Sequence, residues 1–192
     1  LSLLLLMPAK IEPWKILQSE LVVDHRWYKL RRDHVQLPTG QVLDDYFVSV
    51  RPNVVLVFCL TADEQVLLVR QYKHAAGDIF IELPGGVVDE DETAPLEAAR
   101  RELLEETGYA TDDVELLAEI TDNPTKDTNR IYFFLARNAR RVAEQKLDET
   151  ENIEVLTVPL AEVEAMVLSG RIRVAGSVAL CLLALRKLQA GA

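Results

Sequence analysis

Two local patterns alternate along this sequence, and together they predict an α/β (α+β) chain. Short runs rich in β-branched and aromatic residues fill positions 13–50 with no helical stretch between them, whereas from 51 onward similar runs are separated by three segments of helical periodicity. A third observation fixes the core. Val54-Val55-Leu56-Val57-Phe58-Cys59-Leu60 is apolar without alternation, as in a strand covered on both faces.

In chain order, Leu1 to Met7 is an apolar run far below the roughly 20 residues a bilayer-spanning helix needs. It has no basic leader and no small-residue cleavage pattern, so a signal peptide is not expected, and Met7 can serve as the natural start. Residues 1–12 are read as a tail. From Pro13 to Val50 come five short strand-like runs: Trp14–Leu17, Leu21–Val23, Trp27–Leu30, Asp33–Leu37 and Asp45–Val50. Pro38-Thr39-Gly40 forms a turn. They predict a small antiparallel β extension over 13–50, ahead of a main domain over 51–192. His25 and His34 fall in this extension without converging donors, so they read as surface or packing residues, not metal ligands.

The main domain opens with the strand Val54–Leu60. Thr61-Ala62-Asp63-Glu64 turns the chain into a second strand over 65–72, and Ile79-Phe80-Ile81 makes a third. A helix ends at Gly108, which can adopt the left-handed conformation that closes helices. Leu96, Ala99 and Leu103 give that helix an apolar seam. Strands follow over 114–120, 130–136 and 155–158. Pro159 to Leu168 reads as a helix with proline in its first turn, closed by Ser169-Gly170, and Ser177 can cap a last helix over 178–188.

The chemistry concentrates between Gly85 and Tyr109. Leu83-Pro84-Gly85-Gly86 lets backbone approach a ligand closely. In the helix behind it, Glu102, Glu105 and Glu106 are spaced i, i+3 and i+4 and leave from one side. Such a cluster is self-repelling by a few tenths of a kcal/mol per pair in an isolated helix. Two explanations compete. The acids form a solvated face, or they hold a divalent cation, and all-oxygen donors favour Mg²⁺ or Mn²⁺ over zinc.

This stretch resembles the signature of the Nudix hydrolases, G-x5-E-x7-R-E-U-x-E-E-x-G-U with U aliphatic. Gly86, Glu92, Arg101, Glu102, Leu103, Glu105, Glu106 and Gly108 match, and Tyr109 takes the last apolar slot. Eight residues, Thr93 to Arg100, separate Glu92 from Arg101 where the family has seven. The extra one belongs near Ala94-Pro95, because a proline is tolerated in the first helical turn. In the family the glutamate at the Glu92 position braces the loop by pairing with the arginine at the Arg101 position.

The resemblance implies a mixed sheet sandwiched by helices, the α/β/α arrangement, and metal-assisted hydrolysis of a diphosphate linkage. The implied metal ligands are Glu102, Glu105, Glu106 and the Gly86 carbonyl. In the branch that splits ADP-ribose a proline lies about fifteen residues past the motif, and Pro124 is fifteen past Tyr109. That branch takes its general base from a glutamate in the loop before a late strand, a position matched by Glu149, the first choice, and by Glu151. It also carries an N-terminal β appendage used to form homodimers. The expected substrate is therefore ADP-ribose or a related nucleoside diphosphate sugar; GDP-mannose and a non-hydrolytic nucleotide-sugar-binding module are the alternatives. Arg51, Arg70 and Lys73 near strand ends, with Glu82 and Pro124, are candidate substrate-binding residues, surface ion pairs being the competing explanation for the three cations.

Composition agrees with this reading. The 192 residues carry a net charge of −10 with 49% hydrophobic and 27% charged residues, and no basic stripe suggests a nucleic-acid partner. Cys59 and Cys181 lie in apolar segments with no CxxC or His pairing. They read as inert core thiols of a reducing compartment, hence a cytoplasmic protein with no membrane partner.

Overall fold

A computed structural model describes residues 11–89, 92 and 94–191; the N-terminal apolar run lies outside these. The chain falls into two compact units. One holds the chain up to Arg51 together with Asn123–Thr128, the other Pro52–Asp122 and the chain from Asn129 on.

The first unit is a three-stranded antiparallel sheet in the order β1 (Lys15–His25), β2 (Tyr28–Gln36) and β3 (Val42–Val50). The five runs expected from sequence are thus three longer strands. Polar stretches such as Gln18-Ser19-Glu20 stay in the ladder because backbone pairing needs no apolar side chain, and bulges near Leu17 and Val22 absorb the irregularity. Asp33 is buried and accepts from Ser19 Oγ and from Nε and Nη2 of Arg31 at 2.6–3.1 Å. The polar segment 123–128 is more than a solvated turn. Ser49 N–H donates to Lys126 O (2.8 Å) and Tyr46 Oη to Thr125 O (2.7 Å), which ties it to β3.

The second unit is built on a seven-stranded mixed sheet. Its strands are β4 (Val54–Thr61), β5 (Gln65–Lys73), β6 (Asp78–Glu82), β7 (Tyr109–Ala110), β8 (Val114–Ile120), β9 (Ile131–Arg141) and β10 (Ile153–Pro159). The order is β10-β5-β4-β9-β7, with β6 on β5 and β8 on β9, and only β4 and β9 run parallel. Alternation along β4 divides the core. Val55, Val57 and Cys59 pack with Ala98, Ala99 and Leu103 of α1 (Pro95–Thr107). Phe58 and Leu60 pack with Val163 and Met166 of α2 (Leu160–Leu168) and Leu180, Cys181 and Ala184 of α3 (Ala175–Ala190). Helices therefore cover both faces, which is why β4 reads as uniformly apolar. The two cysteines lie on opposite faces, free and buried, and burial pushes both thiols up to about 12.

Three element expectations change. β9 continues to Arg141 and gains the two-residue partner β7, because the edge beyond Ala136 is paired by the segment after α1. Pro159 ends β10 and stands just before α2 instead of in its first turn. Ser177 lies inside α3 and is no cap: fully buried, its Oγ accepts the Leu83 amide at 3.0 Å. That bond satisfies a backbone donor which the turn at Pro84 takes out of the β6 ladder. Among the described residues no helix is long and apolar enough to cross a membrane.

Candidate active site

The segment after β6 leaves β5 and runs antiparallel to β4. Val57 N–H donates to Pro84 O and Val55 N–H to Gly86 O, both at 2.9 Å, and Val88 N–H to Asn53 O. In such a ladder alternate residues point their N–H and C=O groups away from the partner. Gly85 N–H accordingly reaches Glu106 Oε2 (2.8 Å), and Val87 O accepts from Arg101 Nη2 (2.8 Å). The Gly86 carbonyl, expected from sequence as a metal ligand, accepts the Val55 amide of β4, and the same alternation turns the Gly85 carbonyl away from β4. The backbone requires a glycine at 85, and at 86 a side chain would displace a carboxylate. A Cβ on Gly85 would strike the Val55 carbonyl, and one on Gly86 would strike the Glu102 carboxylate.

Helix α1 opens with Pro95 and closes at Gly108, whose φ of 76° is left-handed and whose N–H bonds Leu104 O (2.8 Å). Glu102 and Glu106 turn inward, 9% and 3% exposed. Glu105 is half-buried and takes Arg101 Nη1 at 3.2 Å. Arg101 is the hub. Its Nη1 also donates to Glu102 (2.8 Å), and its Nε and Nη2 grip Glu92 at 2.9 and 3.2 Å. The pairing of Glu92 with Arg101 therefore survives the extra residue between them, and the arginine holds the Glu92 carboxyl below its ordinary range.

Burial raises the Glu102 carboxyl, with Glu105 and Glu151 adding to the effect against Arg101. Glu106 is pushed up to about 8 by burial, by Glu102 and by Glu151, with the Gly85 amide and Lys73 opposing. Two buried neighbouring carboxylates that resist ionisation are a site short of positive charge. Among the described residues no three His, Cys, Asp or Glu side chains converge closely enough to cage an ion alone. Mg²⁺ usually binds through one or two carboxylates plus substrate phosphates and water. The all-oxygen donors here, Glu102, Glu106 and the Gly85 carbonyl, fit that habit.

The loop after β9 brings a further acid. Its base is sewn to α1: Val142 and Ala143 N–H donate to Gly108 O, and Lys146 N–H donates to Glu105 O. Gln145 Nε2 bridges Glu106 O (2.6 Å) and Ile153 O (3.2 Å). No sequence signal singled out this glutamine, because its partners lie 39 and 8 residues away in a polar loop. Glu151 is half-buried, accepts the Asp148 amide (3.0 Å) and acts electrostatically on both Glu102 and Glu106. Glu149 is exposed.

The remaining candidates separate. Glu82 is 7% exposed; its Oε1 accepts no hydrogen bond and has Lys73 Nζ at 3.5 Å. Burial raises its carboxyl against that lysine. Arg70 pairs with its cross-strand neighbour Glu154 (2.8 Å). Arg51 and Pro124 belong to the other unit, where Arg51 pairs with Asp127 (3.2 Å) and Pro124 is exposed.

Fold and site together define a carboxylate-bearing α/β/α hydrolase scaffold, and comparison with known proteins places it in a family. Residues 50–175 match the NUDIX domain model, and residues 14–49 match that of the nucleoside diphosphate sugar hydrolase N-terminal domain. The chain belongs to the Nudix family. It is 29% identical to a methanol dehydrogenase activator of Bacillus methanolicus, over 80% of this chain and 83% of the relative. It is 31% identical to a GDP-mannose pyrophosphatase of Yersinia enterocolitica (87% and 91%). To an ADP-ribose pyrophosphatase of Bacillus subtilis it is 27% identical (82% and 85%). A crystal structure described as an ADP compounds hydrolase superposes with a TM-score of 0.84 at 22% identity, covering 95% of this chain and 97% of that one.

Proposed function

We propose that this protein hydrolyses the diphosphate linkage of ADP-ribose or a closely related nucleoside diphosphate sugar, giving a mononucleotide and a sugar phosphate. The observation that carries the reading is the buried pair Glu102 and Glu106, acted on by Glu151, whose carboxyls stay raised despite Arg101 and Lys73. At 4 Å and an effective dielectric near 20, each carboxylate–phosphate repulsion costs about 4 kcal/mol, so a diphosphate enters only with cations. Bound Mg²⁺ or Mn²⁺ would neutralise the diphosphate oxygens and acidify water in the cleft. Glu102, Glu106 and the Gly85 carbonyl would hold it, with Glu105 alongside.

The chain's own groups then divide the work. Arg101, locked by Glu92, Glu105 and the Val87 carbonyl, keeps Glu102 oriented and the glycine loop closed over α1. Glu151 accepts the proton of the water that attacks phosphorus, and the leaving phosphate departs as the P–O–P bond breaks. Lys73, beside Glu82 and felt by Glu106, offers a donor to the second phosphate.

GDP-mannose is the second reading, favoured by the 31% identity with the Yersinia enzyme. Incubation with ADP-ribose, GDP-mannose and nucleoside triphosphates, with and without Mg²⁺, tests all of this. Mononucleotide should appear from ADP-ribose or a nucleotide sugar only with the metal. Binding without cleavage of any of them would make the protein a sensor.

The protein is further proposed to be a cytoplasmic homodimer. Free buried thiols suit a reducing compartment. Every residue of β1 is exposed, including Ile16, Leu17, Leu21, Val22 and Val23, and Trp14 and Trp27 flank it, which is a large apolar surface for a monomer to leave open. Sedimentation equilibrium should return twice the chain mass, and Leu21→Lys combined with Val23→Lys should return one.

A further inference from the structure

The β5–β6 hairpin contains an unusual choice of partners. In register, Lys73 lies opposite Asp78, and Glu82 lies opposite Val69. A lysine normally pairs with the carboxylate directly across the ladder. Here Lys73 passes Asp78 over and runs along the strand toward Glu82, reaching it at 3.5 Å. The two positions are four residues apart, roughly 13 Å at about 3.3 Å per residue. Asp78 is already taken. Its Oδ1 accepts the Ile79 amide (2.7 Å), and its Oδ2 accepts Arg173 Nη2 (2.6 Å).

Arg173 is itself fixed from two sides. Its guanidinium lies over the Phe80 ring, 4.7 Å from the centroid, and the preceding residue, Ile172, is fully buried and bridges Ile81 in parallel. The segment between α2 and α3 thus delivers a permanent cation to the outer end of the hairpin. Side chains 73, 78, 80 and 82 share one face of this two-stranded ribbon, the face on which Lys73 also acts on Glu106.

We propose that Arg173 is a positioning residue for substrate binding: by occupying Asp78 it denies Lys73 its cross-strand partner and turns that lysine toward the carboxylate cleft, where it receives a phosphate. The inference rests on the diphosphate-hydrolase reading above. Without Arg173, Asp78 recaptures Lys73 and the cleft loses its cation.

The test is a set of variants in the full-length protein. Arg173→Met should raise KM for ADP-ribose about tenfold with kcat nearly unchanged, the size expected for losing one charge-assisted hydrogen bond, and Lys73→Met should do the same. Asp78→Asn alone should leave KM within about threefold of the parent, since it removes the competitor. The double variant Arg173→Met with Asp78→Asn should recover the parent KM. A crystal structure of Arg173→Met should place Lys73 Nζ within 4 Å of Asp78 instead of Glu82. If Asp78→Asn raises KM as much as Arg173→Met, or the double variant is no better than the single, the pair merely braces the hairpin and the inference is overturned. Should the parent protein cleave no diphosphate at all, the functional reading fails, yet the position of Lys73 in the Arg173→Met crystal still decides the positioning claim.

Discussion

Glu151→Gln should lower kcat for ADP-ribose by roughly 10²–10⁴-fold, the range spanned by removal of a general base, while Glu149→Gln stays within about threefold of the parent. The two acids sit in one loop with the same local chemistry, and only their placement separates them. Glu151 accepts the Asp148 amide and returns its own N–H to Asp148 O, both at 3.0 Å, so a tight turn fixes its backbone. Its charge is felt by Glu102 and Glu106, the groups expected to flank the attacked phosphorus. Glu149 points to solvent. The amide is nearly isosteric with the carboxylate, so the loop geometry should persist and KM should change little. Loss of activity in Glu149→Gln with Glu151→Gln intact would reverse the assignment.

Which parts of this site could be read without coordinates follows from how local each signal is. The carboxylate helix was legible because its proline start, its left-handed glycine stop and the i, i+3, i+4 spacing all lie within fifteen residues. Burial of β4 on both faces was legible from its unbroken apolar run. The N-terminal strands were legible as β but not as three, since a polar side chain facing water leaves strand pairing intact. Which glycine carbonyl is tied to β4 was not legible at all. It is decided by the phase of the ladder with β4, thirty residues upstream. The same holds for Ser177, whose hydroxyl meets the Leu83 amide 94 residues away, and for Gln145 against the Glu106 carbonyl. Each looks locally like a cap or a loop residue, because the partner that defines it is brought in only by the tertiary fold.

The electrostatic strain of the cleft has a thermodynamic consequence that needs no substrate. Glu106 binds its proton more tightly in the folded protein, with its pKa raised from 4.5 to about 8, than in the unfolded chain. Between those values the native state holds more protons, so stability falls as pH rises through this window and the loss is complete above it. At about 1.4 kcal/mol per unit the effect is on the order of 5 kcal/mol, equivalent to a drop in Tm of roughly 10–20 °C for a chain of this size. Glu82 and Glu102, raised in the same direction, add to it. Acids lowered by ion pairs, Asp33 and Glu92, work the other way but below their ordinary range, outside the window. Metal-free protein should therefore melt earlier at pH 8 than at pH 5.5. Glu106→Gln should flatten the profile and raise Tm at pH 8, since it removes the buried charge and keeps a polar group for the Gly85 amide. Adding Mg²⁺ at pH 8 should restore Tm in the parent, because a ligand bound only by the native state stabilises it, and should do much less for Glu106→Gln. The general self-repulsion of an acidic chain also weakens it at high pH, but that term is common to both proteins, so their difference isolates the cleft. Equal slopes in parent and variant would mean that Glu106 is ionised without penalty, and the argument that this pair of acids requires a divalent cation would fail with it.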